Sequence, residues 1–332
     1  MKDLNQLINN KITLSNDQEY ALIIGATPSQ GARSPKLWNK VYKLKKKNIR
    51  MYPADVSEIK LKNLVKFLKT QKNFIGGSIT APYKVLIMKY LDKIDNSAKK
   101  IGSINTIVKK KNTFTGFNTD YHGASQALKK YKNKKRILVL GCGGASKAVI
   151  LALNIKFKDS NFFYFNKTYS KVKLFLKKIS KKKNYYIFKK LDDLLNLKKI
   201  DLIVNTTSVG FNSWINKNKS YYNLKIFSPI TNLNNLKKIQ KPNLKIFALK
   251  NRKIIAKDNS NLGIFFKNNP NSDIFDIIYN PLNTKIMKFG YLSRKKIYNG
   301  LEMNLVQAVK AFMIVNKVNN FNLIKQLMTS NG

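Results

Sequence analysis

Short apolar runs alternate with amphipathic stretches along this chain, and their order predicts the fold class. Tyr20-Ala-Leu-Ile-Ile-Gly25 reads as a buried strand ending in a glycine turn. A proline-containing loop follows, then a helix over about 35–46. Ile49-Arg-Met-Tyr-Pro53 predicts a second strand. Between Val56 and Thr70 the residues Ile59, Leu61, Leu64, Val65 and Leu68 mostly recur at helical spacing, with Ser57 placed to cap that helix. Phe74 to Thr80 forms a third strand. Thr106-Ile-Val-Lys and Thr113-Phe-Thr-Gly flank Lys110-Lys111-Asn112, the pattern of a hairpin. Strand, helix and strand in alternation predict a mostly parallel sheet for this half.

A second α/β unit begins near Arg136. Ile137-Leu-Val-Leu140 is a buried strand, and Gly141-Cys142-Gly143-Gly144-Ala145 follows it at once. Ser146 to Asn154 reads as a helix, Asn161-Phe-Phe-Tyr-Phe165 as the next strand, and Ile200-Asp-Leu-Ile-Val204 as a later one. Residues 212–273 are rich in Asn and Lys and have no clear period. An inserted subdomain, an extra hairpin and partial disorder all fit them. Regular structure resumes over Ile274–Tyr279, and a final helix runs from Leu301 to Asn316 with Gln307 among apolar neighbours.

Composition changes this picture little. The 332 residues exceed one ordinary α/β core and predict two domains, and 43% hydrophobic residues suffice to fill them. No apolar run is long enough to span a bilayer, and the first residues lack the apolar core of a signal peptide. Cys142 is the one cysteine, which fits a reducing compartment, so a cytoplasmic protein without membrane contact is expected. No metal centre is expected. The net charge is +48, yet only five of the 64 basic residues are arginine: Arg33, Arg50, Arg136, Arg252 and Arg294. Nucleic-acid readers favour arginine for its planar fork. Asn, Ile, Phe and Tyr are abundant beside Lys, and all have AT-rich codons. The charge therefore reads as gene composition, and no nucleic-acid partner is expected.

Candidate chemistry lies at strand ends. In Gly141-Cys142-Gly143-Gly144-Ala145 the missing side chains let the backbone approach a pyrophosphate, and the next helix offers its unpaired N–H groups. The strand, glycine turn, helix and strand order is the context a dinucleotide site requires. Asn166-Lys167-Thr168 ends the second strand of this unit, with Lys171 close behind. Without an acid for the ribose hydroxyls and with two cations for a 2′-phosphate, the cofactor reads as NADP; in a chain this rich in lysine, two ordinary surface lysines are the other reading. Lys84, in Thr80-Ala81-Pro82-Tyr83-Lys84, and Asp120, in Gly116-Phe117-Asn118-Thr119-Asp120, make a candidate proton-transfer pair. Desolvation lowers a lysine pKa and a neighbouring carboxylate raises it; either way the ammonium can donate to a reacting oxygen. His122, the lone histidine, reads as a packing or surface residue, and Cys142 as a small filler.

These residues resemble the shikimate dehydrogenase family over about 20–211 and 274–316. Gly25 through Ser34-Pro35 and Asn39 is similar to the family's N-terminal substrate loop. Ser78-Ile79-Thr80-Ala81-Pro82-Tyr83-Lys84 resembles its Asn-Val-Thr-x-Pro-x-Lys signature. Gly102-Ser103-Ile104-Asn105-Thr106, Asn118-Thr119-Asp120 with Gly123, Asn166-Lys167-Thr168, and Asn205-x-Thr207-Ser208-x-Gly210 continue the order. Asp276-Ile-Ile-Tyr279-x-Pro281 and Asn299-Gly300-Leu301-x-Met303 with Gln307 complete it.

The resemblance implies NADP-dependent interconversion of 3-dehydroshikimate and shikimate, a step toward aromatic amino acids. It implies catalytic roles for Lys84 and Asp120, and substrate contacts from Ser34, Thr80, Asn105, Tyr279 and Gln307. It places the cofactor against Gly141, Gly143, Gly144, Ala145, Asn166, Lys167, Thr168, Lys171, Thr207, Ser208 and Gly300. The implied fold is an N-terminal α/β substrate-binding catalytic domain (1–125), a Rossmann-like NADP-binding domain (126–298) with an unusual insertion at about 212–273, and a C-terminal segment (299–332) whose helix returns to the first domain. A monomer or a homodimer is expected. There are three departures. Ala32 stands where the family has a carboxylate-binding serine, a hydroxyl whose loss costs about 1.5–3 kcal/mol unless Ser29, Gln30 or Arg33 replaces it. Lys167 replaces an arginine. The 212–273 stretch is long for the family. The rivals are a quinate or shikimate dehydrogenase using NAD, and a non-catalytic nucleic-acid-associated protein of the same fold.

Overall fold

The structure is a computed structural model and describes residues 2–179, 185–217 and 219–330. The chain divides into two compact units. One is Met1–Gln126 with Lys147–Leu151 and Met303–Gly332; the other is Ala127–Ser146 with Ala152–Glu302.

In the first unit, α1 (Lys2–Leu7) precedes β1 (Glu19–Gly25), α2 (Ser34–Leu44), β2 (Ile49–Asp55), α3 (Glu58–Thr70) and β3 (Phe74–Ile79). The short β4 (Lys93–Ile94) and α4 (Asn96–Ile101) lead to the hairpin β5 (Thr106–Lys110) and β6 (Thr113–Phe117), then to α5 (Asp120–Leu128). The sheet order is β2-β1-β3-β5-β6-β4. β1 runs parallel to β2 and β3, and β4 parallel to β6, while β3–β5 and β5–β6 are antiparallel. The parallel half therefore ends in an antiparallel hairpin. Because strand residues alternate faces, β1 feeds two cores. Leu22 and Ile24 pack with Leu61, Leu64, Val65 and Leu68 of α3, and Ala21 and Ile23 pack with Trp38 and Val41 of α2.

Ile59 departs from the expected pattern: it is 91% exposed. At about 100° per residue it falls roughly 200° from Leu61, on the far side of the helix. Ser57 occupies the cap position of α3, but its side chain makes no capping hydrogen bond.

In the second unit, β7 (Arg136–Leu140), α6 (Gly144–Lys156), β8 (Asn161–Phe165), α7 (Tyr169–Ile179), β9 (Tyr185–Phe188), α8 (Leu191–Leu195) and β10 (Leu202–Asn205) follow one another. After them come β11 (Trp214–Lys217), β12 (Ser220–Asn223), α9 (Leu244–Lys250), α10 (Arg252–Asn268), β13 (Asp273–Asp276), α11 (Lys285–Leu292) and β14 (Ile297–Tyr298). The main sheet has the order β14-β13-β10-β7-β8-β9, and every ladder is parallel. The chain leaves β7 toward β8 on one side and later returns to β10 on the other. That reversal is where open α/β sheets bind ligands, beyond the carboxyl ends of the strands.

The 212–273 stretch is folded over its described residues. β11 and β12 pair as an antiparallel hairpin, and Leu224, Phe227, Ile239 and Phe247 form a small core of their own. Ile246–Leu249 lies within α9 and Leu262–Phe266 within α10. Leu262, Phe265 and Phe266 join the core of the main sheet. Toward the C-terminus α12 (Leu301–Asn316) and α13 (Phe321–Thr329) complete the chain. Phe312, Val315, Ile324 and Met328 pack with Trp38 and Tyr42 of α2 in the first unit.

Candidate active site

The first site is built where β3 and β6 end. After Ile79 the chain turns through a cis Ala81–Pro82 bond. Tyr83 anchors that turn: its N–H donates to the Thr80 carbonyl at 3.0 Å, and its buried hydroxyl donates to the Val56 carbonyl at 2.6 Å. The Lys84 carbonyl accepts from Ile104 N–H at 2.7 Å, which ties the lysine backbone to the segment before β5. From the other side, the Asn118 amide donates to the Ser103 carbonyl at 2.8 Å, and α5 then opens at Asp120.

Lys84 Nζ lies 2.6 Å from Asp120 Oδ2, with side-chain exposures of 15% and 4%. Two residues thirty-six apart in sequence thus meet in one largely buried cluster of polar groups. An ammonium has three donors, so one bond to Asp120 leaves capacity for a second oxygen.

Asn105 supports the pair. Its buried amide nitrogen is 2.9 Å from Asp120 Oδ1, 2.8 Å from Thr119 Oγ1 and 3.0 Å from Gln307 Oε1. Its Oδ1 accepts from Thr119 N–H at 2.7 Å, which fixes the orientation of the amide. Gln307 in turn donates to the Asn304 carbonyl at 3.0 Å, and the Gln307 carbonyl accepts from Thr119 Oγ1 at 2.9 Å. Lys84, Asp120, Asn105 and Gln307 therefore form one connected network. Ser34, buried at the start of α2, and Thr80, after β3, flank the ends of β1 and β3 in the same unit.

The loop before Ser34 corrects one expectation. Ser29 does not stand in for the hydroxyl missing at Ala32, because its N–H and Oγ both donate to the Asp55 carboxylate. Arg33 Nη1 donates to Asn304 Oδ1 at 3.1 Å, so the guanidinium is joined to the helix that carries Gln307. Sequence reasoning passed over Ser78. Its buried hydroxyl has no hydrogen-bond partner among the described residues, although it lies two positions before Thr80. His122 is exposed beside the Tyr121 ring, and partial desolvation, with Lys310 nearby, holds its pKa below the ordinary value. Neither residue enters the Lys84 network.

The second site lies at the ends of β7, β8 and β10. Gly141 has φ +102°, and a Cβ there would sit 2.9 Å from Thr207 Cγ2, so only glycine fits. Gly143 is not crowded in this way. Its φ is −84°, and the nearest protein atom to a built Cβ is Ser146 Oγ at 3.9 Å. The protein itself does not exclude a side chain at Gly143; the space is left open in front of α6. Gly144 and Ala145 open that helix, and Ser146 Oγ accepts from Gly143 N–H at 2.9 Å and lies 2.7 Å from Thr206 Oγ1. Cys142 is buried, with Sγ 3.8 Å from the Lys171 carbonyl.

Asn166 turns its amide onto the Thr168 carbonyl at 2.8 Å, while Lys167, Thr168 and Lys171 are exposed. Among the described residues no ion pair engages Lys167 or Lys171. An open backbone cradle at a helix N-terminus, with two cations and no acid beyond it, fits a dinucleotide carrying a 2′-phosphate. Thr207 and Ser208 follow β10. Gly300 lies so close to the chain at Ile277 that a Cβ would come within 1.9 Å of the Ile277 carbonyl oxygen. Tyr279 belongs to this second unit, where its ring meets Phe211 edge-on at 6.0 Å. Among the described residues no cluster of His, Cys, Asp or Glu is placed to hold a metal ion, and no helix is long and apolar enough to cross a membrane.

Residues 23–107 match the model of the shikimate dehydrogenase substrate binding domain. A shikimate dehydrogenase (NADP(+)) of Methanococcus maripaludis is 33% identical over 293 residues, covering 86% of this chain and 88% of the relative. The chain belongs to the shikimate dehydrogenase family. The corresponding protein of Methanosphaera stadtmanae is 30% identical over 296 residues, with the same coverage of 86% and 88%. Among solved structures, a shikimate dehydrogenase in complex with NADP+ is similar at 27% identity and a TM-score of 0.67, covering 95% of this chain and 96% of the other. That of Aquifex aeolicus gives 25% identity and a TM-score of 0.68 over 96% and 100%. The family's mixed α/β architecture, with a substrate-binding and an NADP-binding part, is that of this chain.

Proposed function

We propose that this chain catalyses the NADP-dependent interconversion of 3-dehydroshikimate and shikimate, with Lys84 and Asp120 at the reacting oxygen. The 2.6 Å contact between those two side chains carries the reading. A catalytic domain (1–125, with the helix of 299–332) takes the substrate, and an NADP-binding domain (126–298) takes the cofactor. NADPH, when bound, supplies the hydride that reduces the carbonyl carbon.

The chain's own residues handle the oxygen. Lys84 donates a hydrogen bond to the carbonyl and stabilises the charge that grows there as the carbon is reduced. It then passes its proton to that oxygen, which becomes the alcohol. Asp120 holds the ammonium in place, and Asn105 holds Asp120. In the reverse direction neutral Lys84 takes the hydroxyl proton. Ser34, Thr80, Asn105 and Gln307 orient the substrate's carboxylate and hydroxyls, and Tyr279 is assigned a substrate contact as well.

On the cofactor side, Gly141, Gly143, Gly144 and Ala145 receive the pyrophosphate, and Asn166, Lys167, Thr168 and Lys171 receive the adenosine phosphate. Thr207, Ser208 and Gly300 line the nicotinamide end. Cys142 as a lone thiol suits a reducing, cytoplasmic setting. Every residue assigned here lies on one chain.

Purified protein given shikimate and NADP⁺ tests the reading. Reduced nicotinamide should accumulate, faster than with NAD⁺ or with quinate. No reduction with shikimate and either cofactor overturns it.

A further inference from the structure

Asp276 ends β13 directly opposite Asn205, the last residue of β10. Both are wholly buried. Asp276 Oδ1 accepts from the Asn205 amide at 3.0 Å and from Ile278 N–H at 3.0 Å, and its Oδ2 accepts from the Thr284 hydroxyl at 2.6 Å. Two side-chain donors and one backbone N–H therefore converge on one carboxylate. Among the described residues no cation pairs with it. Burial pushes its pKa up to about 6, while the three donors act to lower it.

The bonds continue outward. Asn205 directs its nitrogen at Asp276, so its Oδ1 is turned to Thr207, accepting from that residue's N–H at 3.0 Å and hydroxyl at 2.8 Å. Thr207 Oγ1 accepts from Val209 N–H at 3.1 Å. On the other branch, the Ile278 carbonyl accepts from Gly300 N–H at 3.0 Å. Thr284 also limits Gly210, where φ is +109° and a Cβ would lie 3.2 Å from the threonine side chain. The segments placed in this way carry Thr207, Ser208, Tyr279 and Gly300.

We infer that Asp276 is a positioning residue whose hydrogen bonds set the 205–210 and 277–279 segments and Gly300 at the nicotinamide end of the cofactor site. The inference rests on the cofactor assignment above. Asp276 touches neither substrate nor cofactor; it acts through Asn205, Ile278 and Thr284. A neutral amide of the same shape can keep these bonds. Its oxygen can accept from Asn205 and Ile278, and its nitrogen can donate to the Thr284 hydroxyl, which is both donor and acceptor.

The test compares Asp276→Ala, Asp276→Asn and Thr284→Val with the parent protein. Hydrogen exchange of residues 205–210 and 277–279 is read first, because it needs no activity. It should accelerate in Asp276→Ala, less in Thr284→Val, and stay near the parent in Asp276→Asn. Turnover is then measured with the NADP dissociation constant. The alanine variant should lose about thirtyfold or more in kcat with NADP binding changed less than about threefold, and the asparagine variant should keep kcat within about fivefold. If the alanine variant does not fold, Thr284→Val alone decides, with a loss of about threefold to tenfold in kcat and unchanged NADP binding. Unchanged exchange in these segments overturns the inference. So does a kcat loss in Asp276→Asn equal to that in Asp276→Ala, or an unchanged kcat in Thr284→Val. Absence of turnover in the parent protein would instead sink the functional reading, and the exchange data would still judge the positioning.

Discussion

Asp120 and Asp276 are both nearly inaccessible carboxylates at the ends of secondary-structure elements, and they are built in opposite ways. Asp120 has a cation, Lys84, at 2.6 Å and one amide donor, Asn105. Asp276 has three neutral donors and no cation among the described residues. A buried carboxylate beside an ammonium is part of a proton-transfer device, because the ammonium keeps donors for another oxygen. A buried carboxylate among neutral donors only fixes geometry, and burial opposes its ionisation. The same side chain thus gives chemistry in one unit and architecture in the other.

The largest test of that difference is Lys84→Ala. It should lower kcat by about a thousandfold while leaving NADP affinity within about twofold, as steady-state rates and a fluorescence titration will read. Retention of most of kcat would remove Lys84, and with it the Lys84–Asp120 pair, from the chemistry.

A third buried carboxylate shows that pairing alone does not make a catalyst. Asp258 of α10 accepts from Ser228 and lies 2.8 Å from Lys285 Nζ, far along the chain from Lys84. Asp258→Ala should destabilise the fold by about 3–5 kcal/mol in denaturant unfolding, since it leaves Lys285 buried without its partner. Folded protein should keep kcat within about threefold. A large kcat loss with unchanged stability would contradict that assignment.

The pH dependence of Asp276 comes next. Its folded pKa, about 6, stands above the ordinary value of 3.8, so the folded state binds the proton more tightly than the unfolded chain. Stability therefore falls as pH rises from about 4 to about 6, and the penalty stays in full above that, at most about 3 kcal/mol. Asp276→Asn lacks this penalty. Relative to the parent, it should be more stable at pH 8 than at pH 4 by up to that amount in unfolding curves. An equal difference at both pH values would show that Asp276 is not strained by its burial. The smallest effect is expected at the exposed cofactor cation. Lys167→Ala should reduce the preference for NADP over NAD by about fivefold to tenfold in kcat/KM, the scale of one solvent-exposed charged contact.

The two carboxylates also differ in how far the sequence reveals them. Lys84 and Asp120 each sit in a short turn directly after a strand-like run, and such local patterns are readable. Gly141 was readable for the same reason, since a glycine directly after Leu140 marks a tight turn. Asp276 was not identified as a site residue. Its role depends on the register of β10 against β13, whose paired residues Asn205 and Asp276 are seventy-one positions apart. No local signal encodes that pairing.

The 212–273 stretch was unreadable because its Asn and Lys residues blur the helical period. Its small core around Phe227 and Phe247 is assembled from residues of a hairpin, a loop and a helix. The missed helix α13 had a signal: Asn320 caps it by accepting from Leu323 N–H at 2.9 Å, and Ile324 and Met328 follow at helical spacing. Ile59 shows the opposite error, an apolar residue counted into a face it does not share.

A double-mutant cycle on Lys84 and Asp120 tests the central claim most directly. Single-turnover rates of hydride transfer are compared for Lys84→Ala, Asp120→Ala and the double variant, all saturated with NADP⁺ and shikimate. If the two side chains act as one unit, the double variant should be no more than about threefold slower than the slower single variant. Losses that multiply in full would show two independent groups and contradict the account.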